Sequence, residues 1–305
     1  MKGKAYKKGT LTRNDVNYLQ YQINDTSTKK NFFDVVSVKA VLDDYPDARS
    51  TIHCHDFNVI IWFRGSRGKH IVDFAEYDID EDSIFFLSRN NMHLYITAND
   101  VDSKAIIFSD DFLQNLSPSM ALMANCMLHN TMNGLNHCRV TEDAAADFDK
   151  LLLEIENELA LDSEDDMRDM SLTALLTLFV VKARRQCEWD DIVKSADNRQ
   201  SFKKYAEFVD LVEREYKNTR SPKDYARELG ISVCLLHRYT SLHGQCTPLK
   251  VITDRVMLEA KRMLRFTPLR VKEISAALGF EDPSYFNKFF RRNAGMSPAD
   301  FREKD

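Results

Sequence analysis

Two periods divide the chain. Between about 30 and 110, apolar residues come in short runs separated by Asp, Asn and Ser clusters. Phe33–Val41 is rich in Val and Phe, and Phe57–Phe63 (FNVIIWF) is an apolar run of strand length. The Arg64-Gly65-Ser66-Arg67-Gly68 stretch supplies a turn, and Lys69–Phe74 then resumes alternation. Ser83–Leu87, His93–Thr97 and Ala105–Phe108 repeat the pattern. Short strands at close spacing predict a sandwich or small barrel.

From Thr141 the period becomes helical. Phe148, Leu152, Ile155 and Leu159 share one face, with Thr141 as N-cap and Glu142 and Asp143 in the first turn. A second helix is expected after Ser163. It opens on Glu164, Asp165 and Asp166 and closes on Arg184 and Arg185, the charge order that suits a helix dipole. Both helices are too apolar to stand alone, so they pack on the barrel, on each other or on a second subunit. Residues 190–201 are polar and read as a linker. Residues 202–305 read as all-helical: five of the seven prolines lie there, between helical patterns rather than within them. The expected division is a barrel domain over 1–140, a helical region over 141–189, a linker over 190–201 and a helical domain over 202–305.

Composition narrows the class. Of 305 residues, 44% are hydrophobic and 29% charged, which is ordinary for a globular protein and excludes disorder. The longest apolar run, near Leu172–Val181, is far short of the ~20 residues of a spanning helix, and no apolar segment follows the basic N-terminus. No membrane association is expected. The six cysteines form no C-x-x-C pair, so neither a zinc ribbon nor a disulfide framework is indicated, and a reducing cytoplasm is the expected location. The net charge of −5 hides an asymmetry: residues 1–198 carry −12 and residues 199–305 carry +7. A phosphate backbone is bound by a local patch, so the segment charge is the relevant one.

The C-terminal third contains an internal repeat. Lys223–Gly244 reads KDYARELGISVCLLHRYTSLHG, and Lys272–Gly295 reads KEISAALGFEDPSYFNKFFRRNAG. Each is a short helix, Leu-Gly, and a second helix closed by Gly. Ala226 and Ser275 are the small residues four positions before the turn glycine, where two helices cross closely. This is the helix-turn-helix pattern, whose second helix enters the major groove. Between the units, Pro248–Phe266 places Ile252, Val256, Ala260, Met263 and Leu264 on one face. About 18 steps of ~1.5 Å span roughly 27 Å, enough to hold two recognition helices about one DNA turn apart, ~34 Å centre to centre.

The second repeat and its tail, LGFEDPSYFNKFFRRNAGMSPADFR, resemble the C-terminal signature of the AraC/XylS family of bacterial transcription regulators. Asp282-Pro283-Ser284-Tyr285-Phe286, Phe289-Phe290 and Gly295-Met296-Ser297-Pro298 carry the resemblance, which covers roughly 202–305. The stretch HCHDFNVIIWFRGSRGKHIVDFAEY, followed by SIFFLSRNNMH, resembles the cupin-like sensor domain common in that family. The first unit departs from the pattern: Gly230 to Gly244 spans 14 positions, against 16 from Gly279 to Gly295. Its buried leucine is then Leu235 or Leu236. His237 faces outward in either register, Arg238 in one only, and Cys234 and Leu236 are unusual on a DNA face.

In the second recognition helix, Tyr285, Phe286, Phe289 and Phe290 read as core, while Ser284, Asn287, Lys288, Arg291 and Arg292 read as the DNA face. Asn suits adenine, and Arg or Lys suits guanine or phosphate. Asn287 and Lys288 are expected nearer the bases, and Arg291 and Arg292 on phosphates. In the first unit, His237 and Arg238 are the candidates. In the barrel, His53, His55 and His93, together with Trp62, are candidate effector-pocket residues. A strand places His53 and His55 on one face, and a third His from a neighbouring strand could complete a metal site. Cupin enzymes, however, add a Glu a few residues on, and here Asp56, Phe57, Asn58 and Val59 follow. A metal-free pocket and no cofactor are therefore expected. The remaining histidines (70, 129, 137 and 243) show no partners at metal spacing.

The fold class expected is α+β multidomain: a cupin-like β-barrel with a helical linker, then an all-α domain with two helix-turn-helix motifs. The expected function is sequence-specific binding of double-stranded DNA, as a non-enzymatic transcription regulator responding to a small-molecule effector. A homodimer and a contact with RNA polymerase are the expected assemblies. Two other readings stay open: a cupin-like metal enzyme fused to a DNA-binding module, and a regulator whose barrel only dimerises.

Overall fold

The computed structural model describes residues 6–13, 16–23, 32–89, 91–97, 103–129, 137–161, 167–186, 196–244 and 246–303. The chain divides into two compact units. One comprises Met1–Thr10 and Leu19–Lys194, the other Leu11–Tyr18 and Ser195–Asp305.

The first unit is sheet-rich. The strands of the sheet are β1 (Tyr6–Arg13), β2 (Val16–Ile23), β3 (Phe33–Ser37), β4 (His53–His55), β5 (Asn58–Val72), β6 (Ala75–Leu87), β7 (His93–Thr97), β8 (Lys104–Phe108) and β9 (His137–Arg139), of which β3–β9 lie wholly in this unit. The order is β1-β2-β4-β7-β5-β6-β9, with β8 pairing both β5 and β3. Strand β5 is the spine. Its first half pairs β8, its second half pairs β7, and β6 runs along nearly its whole length. Helices α1 (Val38–Asp44), α2 (Asp110–Leu113), α3 (Pro118–His129), α4 (Glu142–Ala160) and α5 (Arg168–Gln186) complete the unit.

Strand alternation sorts the apolar residues into two cores. Val59, Ile61 and Phe63 of β5, Phe85 and Leu87 of β6, and Ala105 and Ile107 of β8 face an inner core closed by Val38 and Leu42 of α1. Their neighbours Ile60, Trp62, Ile84, Phe86, Ile106 and Phe108 face the other way, against α2–α5. There Trp62 packs on Phe148 with ring centroids 5.5 Å apart, and its indole N–H donates to Asp149 Oδ1 at 2.9 Å.

Several local expectations are corrected. The predicted strand Phe33–Val41 ends at Ser37, whose Oγ accepts from Ala40 N at 3.3 Å and caps α1. Residues 64–68 form no hairpin turn. The strand continues through an irregularity between Phe63 and Ser66, with Gly65 at φ +57° and the Asp82 carboxylate holding Gly65 N (2.8 Å) and Arg64 Nη1 (2.6 Å). The chain reverses instead at Asp73 and Phe74. Asp73 is left-handed (φ +55°), and its carboxylate accepts from Asn91 Nδ2 at 2.7 Å and Met92 N at 3.2 Å. Helix α5 begins at Arg168; residues 164–166, expected in its first turn, lie outside the described residues. The apolar faces of α4 and α5 need no second subunit: Phe148, Leu152, Ile155, Leu172, Leu176 and Phe179 are all buried within this unit.

The second unit is helical: α6 (Ala196–Glu215), α7 (Pro222–Glu228), α8 (Val233–Gly244), α9 (Pro248–Phe266), α10 (Val271–Ala277), α11 (Pro283–Ala294) and α12 (Pro298–Glu303). Residues 196–201, expected in the linker, are the first turns of α6, and Ser201 is buried with its Oγ 2.8 Å from His243 Nε2. Pro222, Pro248 and Pro283 each open a helix, where a missing N–H costs nothing. One core runs through both helix-turn-helix units, from Phe208 and Tyr225 through Leu236, Ile252 and Val256 to Ile274, Phe286 and Phe290.

Candidate nucleic-acid interface and sensor pocket

Helices α7 and α8 form one helix-turn-helix, and α10 and α11 form the second. Each turn holds a glycine at positive φ, Gly230 at +64° and Gly279 at +73°. Helix α11 is fixed at both ends. The Asp282 carboxylate accepts from Ser284 N at 2.8 Å, and Gly295 closes the helix at φ +76°. Phe286 and Phe290 anchor it: Phe286 packs on Phe280 at 5.1 Å, and Phe290 on Phe301 at 5.5 Å. With those two rings pinned, the helical period turns Ser284, Asn287, Lys288, Arg291 and Arg292 outward, and all five are exposed. Lys288, Arg291 and Arg292 make no ion pair within the described residues, so their charge faces solvent. Asn287 Nδ2 donates to Pro283 O at 2.8 Å. Its amide must exchange that bond for a base edge.

The aromatic stripe is less uniform than its spacing predicts. Phe286 and Phe290 are fully buried and Phe289 half-buried, but Tyr285 is 60% exposed, with its ring 5.9 Å from Phe280. Tyr285 therefore belongs to the outward face. In α8 the register is settled. Leu236 is buried and Leu235 lies outside, so the outward residues are Cys234, Leu235, His237 and Arg238. Leu236 is thus no part of a DNA face. Thr240, one turn on, is buried too, its Oγ1 donating to Leu236 O at 3.0 Å.

The two units are locked to one framework. Arg220, which precedes α7, stacks its guanidinium 3.6 Å from the Phe280 ring and donates to the Gly279 carbonyl (3.3 Å) and the Leu278 carbonyl. Arg255 of α9 holds Glu213 of α6 with two nitrogens, at 2.5 and 2.8 Å, and lies over the Tyr216 ring at 4.0 Å. Such a planar two-point contact fixes orientation as well as distance.

In the barrel, β4 and β7 pair with His53 opposite His93. Their imidazoles and that of His55 gather at one cavity, with ring centroids 4.2 Å (His53–His93), 4.9 Å (His55–His93) and 5.4 Å (His53–His55) apart. One donor atom of each lies within 4.8 Å of the others. The cavity, about 50 Å³, is otherwise apolar, with Val36, Val38, Phe57 and Ile61 among its walls. Burial lowers all three histidines, His53 to about 4, where a bond to the Thr51 carbonyl (3.1 Å) opposes the shift. In His55 and His93, the neighbouring imidazoles add to burial. All three are neutral near pH 7.

Trp62 does not join them. It lies on the opposite face of β5, because residues 61 and 62 of a strand point to opposite sides. His70 is not one of the three clustered histidines, but its Nε2 lies 3.1 Å from His93 Nδ1. A register reading could have found it, since β5 and β7 pair His70 with Tyr95 and Val72 with His93.

The helix-turn-helix domain family matches residues 225–304. The chain is 22% identical over 267 residues to the HTH-type transcriptional activator RhaR of Enterobacter sp. (strain 638), covering 87% of this chain and 91% of that one. It is 22% identical over 261 residues to the activator RhaS of Escherichia coli O139:H28, covering 85% and 89%. Among solved structures, ToxT from Vibrio cholerae aligns over 98% of both chains at 15% identity, with a TM-score of 0.39. Two helix-turn-helix units on one core, each with a solvent-facing second helix, define a DNA-binding protein. Residues 225–304 belong to that helix-turn-helix domain family, and the chain is similar over most of its length to the transcriptional activators RhaR and RhaS.

Proposed function

We propose that this chain is an effector-responsive regulator without covalent chemistry, acting in the cytoplasm as a dimer. Residues 1–140 are the sensor, 141–189 the helical region beside it, and the DNA-binding domain follows the linker. The observation that carries the DNA-binding half is the outward face of α11, where Asn287, Lys288, Arg291 and Arg292 are exposed on a helix that buried rings hold in place. Asn287 and Lys288 read bases, while Ser284, Arg291 and Arg292 hold phosphates. His237 and Arg238 of α8 make the second, weaker set of contacts. The pocket of His53, His55 and His93 supports the sensing half, because a concave, mostly apolar site with a few convergent polar groups is what a small ligand needs. Exposed Met167, Met170 and Leu178 on and beside α5 supply an apolar face for a second copy, and RNA polymerase is the further partner. Regulation is then a coupling free energy between pocket and DNA.

The test is selection of duplexes from a random pool by the full chain. Enriched sequences with two conserved blocks about one turn apart support the reading; a pool that stays random contradicts it. Helix α9, 19 residues and roughly 28 Å long, sets that spacing.

A further inference from the structure

We propose that His53, His55 and His93 bind one divalent transition-metal ion of the zinc type, with His70 as the positioning residue behind His93. The site itself rests on the donor geometry. Only its regulatory use rests on the reading of the barrel as a sensor.

Three observations carry it. The first is convergence: three nitrogens from two paired strands meet within 4.8 Å of one another at a single cavity. Tetrahedral zinc with Zn–N bonds of ~2.0–2.1 Å brings its ligands somewhat closer, a contraction that small side-chain rotations supply. The second is tautomer control. The Thr51 carbonyl receives the Nδ1–H of His53, which leaves the lone pair on Nε2. His93 Nδ1 lies 3.1 Å from His70 Nε2, and the tautomer in which Nδ1–H donates to His70 puts the His93 lone pair on Nε2 as well. Metal-bound histidines nearly always carry such a partner on the other ring nitrogen. The third is an unmet need. His93 is 1% exposed, and its Nε2 has no hydrogen-bond partner among the described residues. A buried polar atom requires a partner, and the apolar cavity walls offer none. An ion held by Nε2 satisfies it.

The donor set selects the ion. Three imidazoles suit Zn²⁺, Ni²⁺, Co²⁺ or Fe²⁺, whereas Ca²⁺ and Mg²⁺ take oxygen. The glutamate of cupin enzymes is missing, but three histidines are a complete protein ligand set for zinc. They neutralise none of the ion's charge and leave a fourth position toward the cavity, where water or a small anion fits.

The test uses the full chain, stripped with a chelator and titrated with Zn²⁺ by calorimetry and with Co²⁺ by visible absorption. Expected are one ion per chain and the intense bands of low-coordinate Co²⁺. Replacing His55 or His93 by Ala should lower affinity at least 100-fold. His70→Gln should lower it about 10-fold to 100-fold with the stoichiometry kept. His237→Ala, on the DNA-binding unit, should leave Zn²⁺ affinity and stoichiometry unchanged. If His93→Ala does not fold, His55→Ala, at a partly buried position, carries the test. Binding that survives His55→Ala, or none that saturates, would overturn the site and mark any bound ion as adventitious. DNA affinity is then measured with and without saturating Zn²⁺. A change supports regulatory use; no change overturns that use and leaves the site standing on the titrations.

Discussion

A methyl group added at Gly279 would overlap the backbone carbonyl of Lys217, and the residue already sits at φ +73°. Its counterpart Gly230, at φ +64°, has open space around it. Gly279→Ala should therefore cost about 2–5 kcal/mol in denaturant unfolding, from strain plus overlap, and Gly230→Ala about 1–2 kcal/mol, from strain alone. Equal costs would contradict the packing of the second turn against the 217–220 segment. On the DNA face the roles separate by chemistry. Asn287→Ala should relax preference at one base pair and cost about 1–3 kcal/mol on the preferred duplex. Arg291→Ala should weaken binding to all duplexes alike. Competition binding on preferred and scrambled DNA distinguishes the two. The outward set in α11 was legible because period and motif agree there. Tyr285 was misread because a ring at helical spacing looks like core, although Phe280 already fills the space between it and the buried Phe286.

At the scale of elements, Pro248–Phe266 and His93–Thr97 were readable to the residue, because capping prolines and clean alternation mark their ends. Residues 64–68 were not, since a glycine-rich irregularity within a long strand and a hairpin turn share the same residues. Trp62 was misplaced because its position in an apolar run gives no parity; only the register of β5 against β6 and β8 does. In α8 one buried leucine holds the helix. Leu236→Ala should cost about 2–5 kcal/mol and exposed Leu235→Ala less than about 1 kcal/mol, which reverses if the register is wrong. The histidine cluster gives β4 and β7 a pH response. In the metal-free chain, folded His53 titrates near 4, whereas unfolded it titrates near 6.5. Between those values the unfolded chain binds more protons, so stability falls as pH falls. The melting temperature of the barrel should drop from pH 7 to pH 5; a flat or rising profile would show that these imidazoles are not buried in neutral form.

At the scale of the molecule, charge and pattern agree. The −12 of residues 1–198 and the +7 of residues 199–305 fall on either side of the boundary between the two large segments, near residue 195. The helical unit was legible because a tandem repeat constrains both its members. The barrel pocket was only half legible: His53, His55 and His93 were found as a strand pair plus one, but His70 needed the β5–β7 pairing. The most direct test of the account is the salt dependence of DNA binding by the full chain. Affinity for a selected duplex should fall steeply and linearly on logarithmic axes as salt rises, because each phosphate contact releases counterions. Arg291→Ala should reduce that slope by about one. A slope near zero, or one that Arg291→Ala leaves unchanged, would contradict the assignment of α11 as the element that docks on DNA.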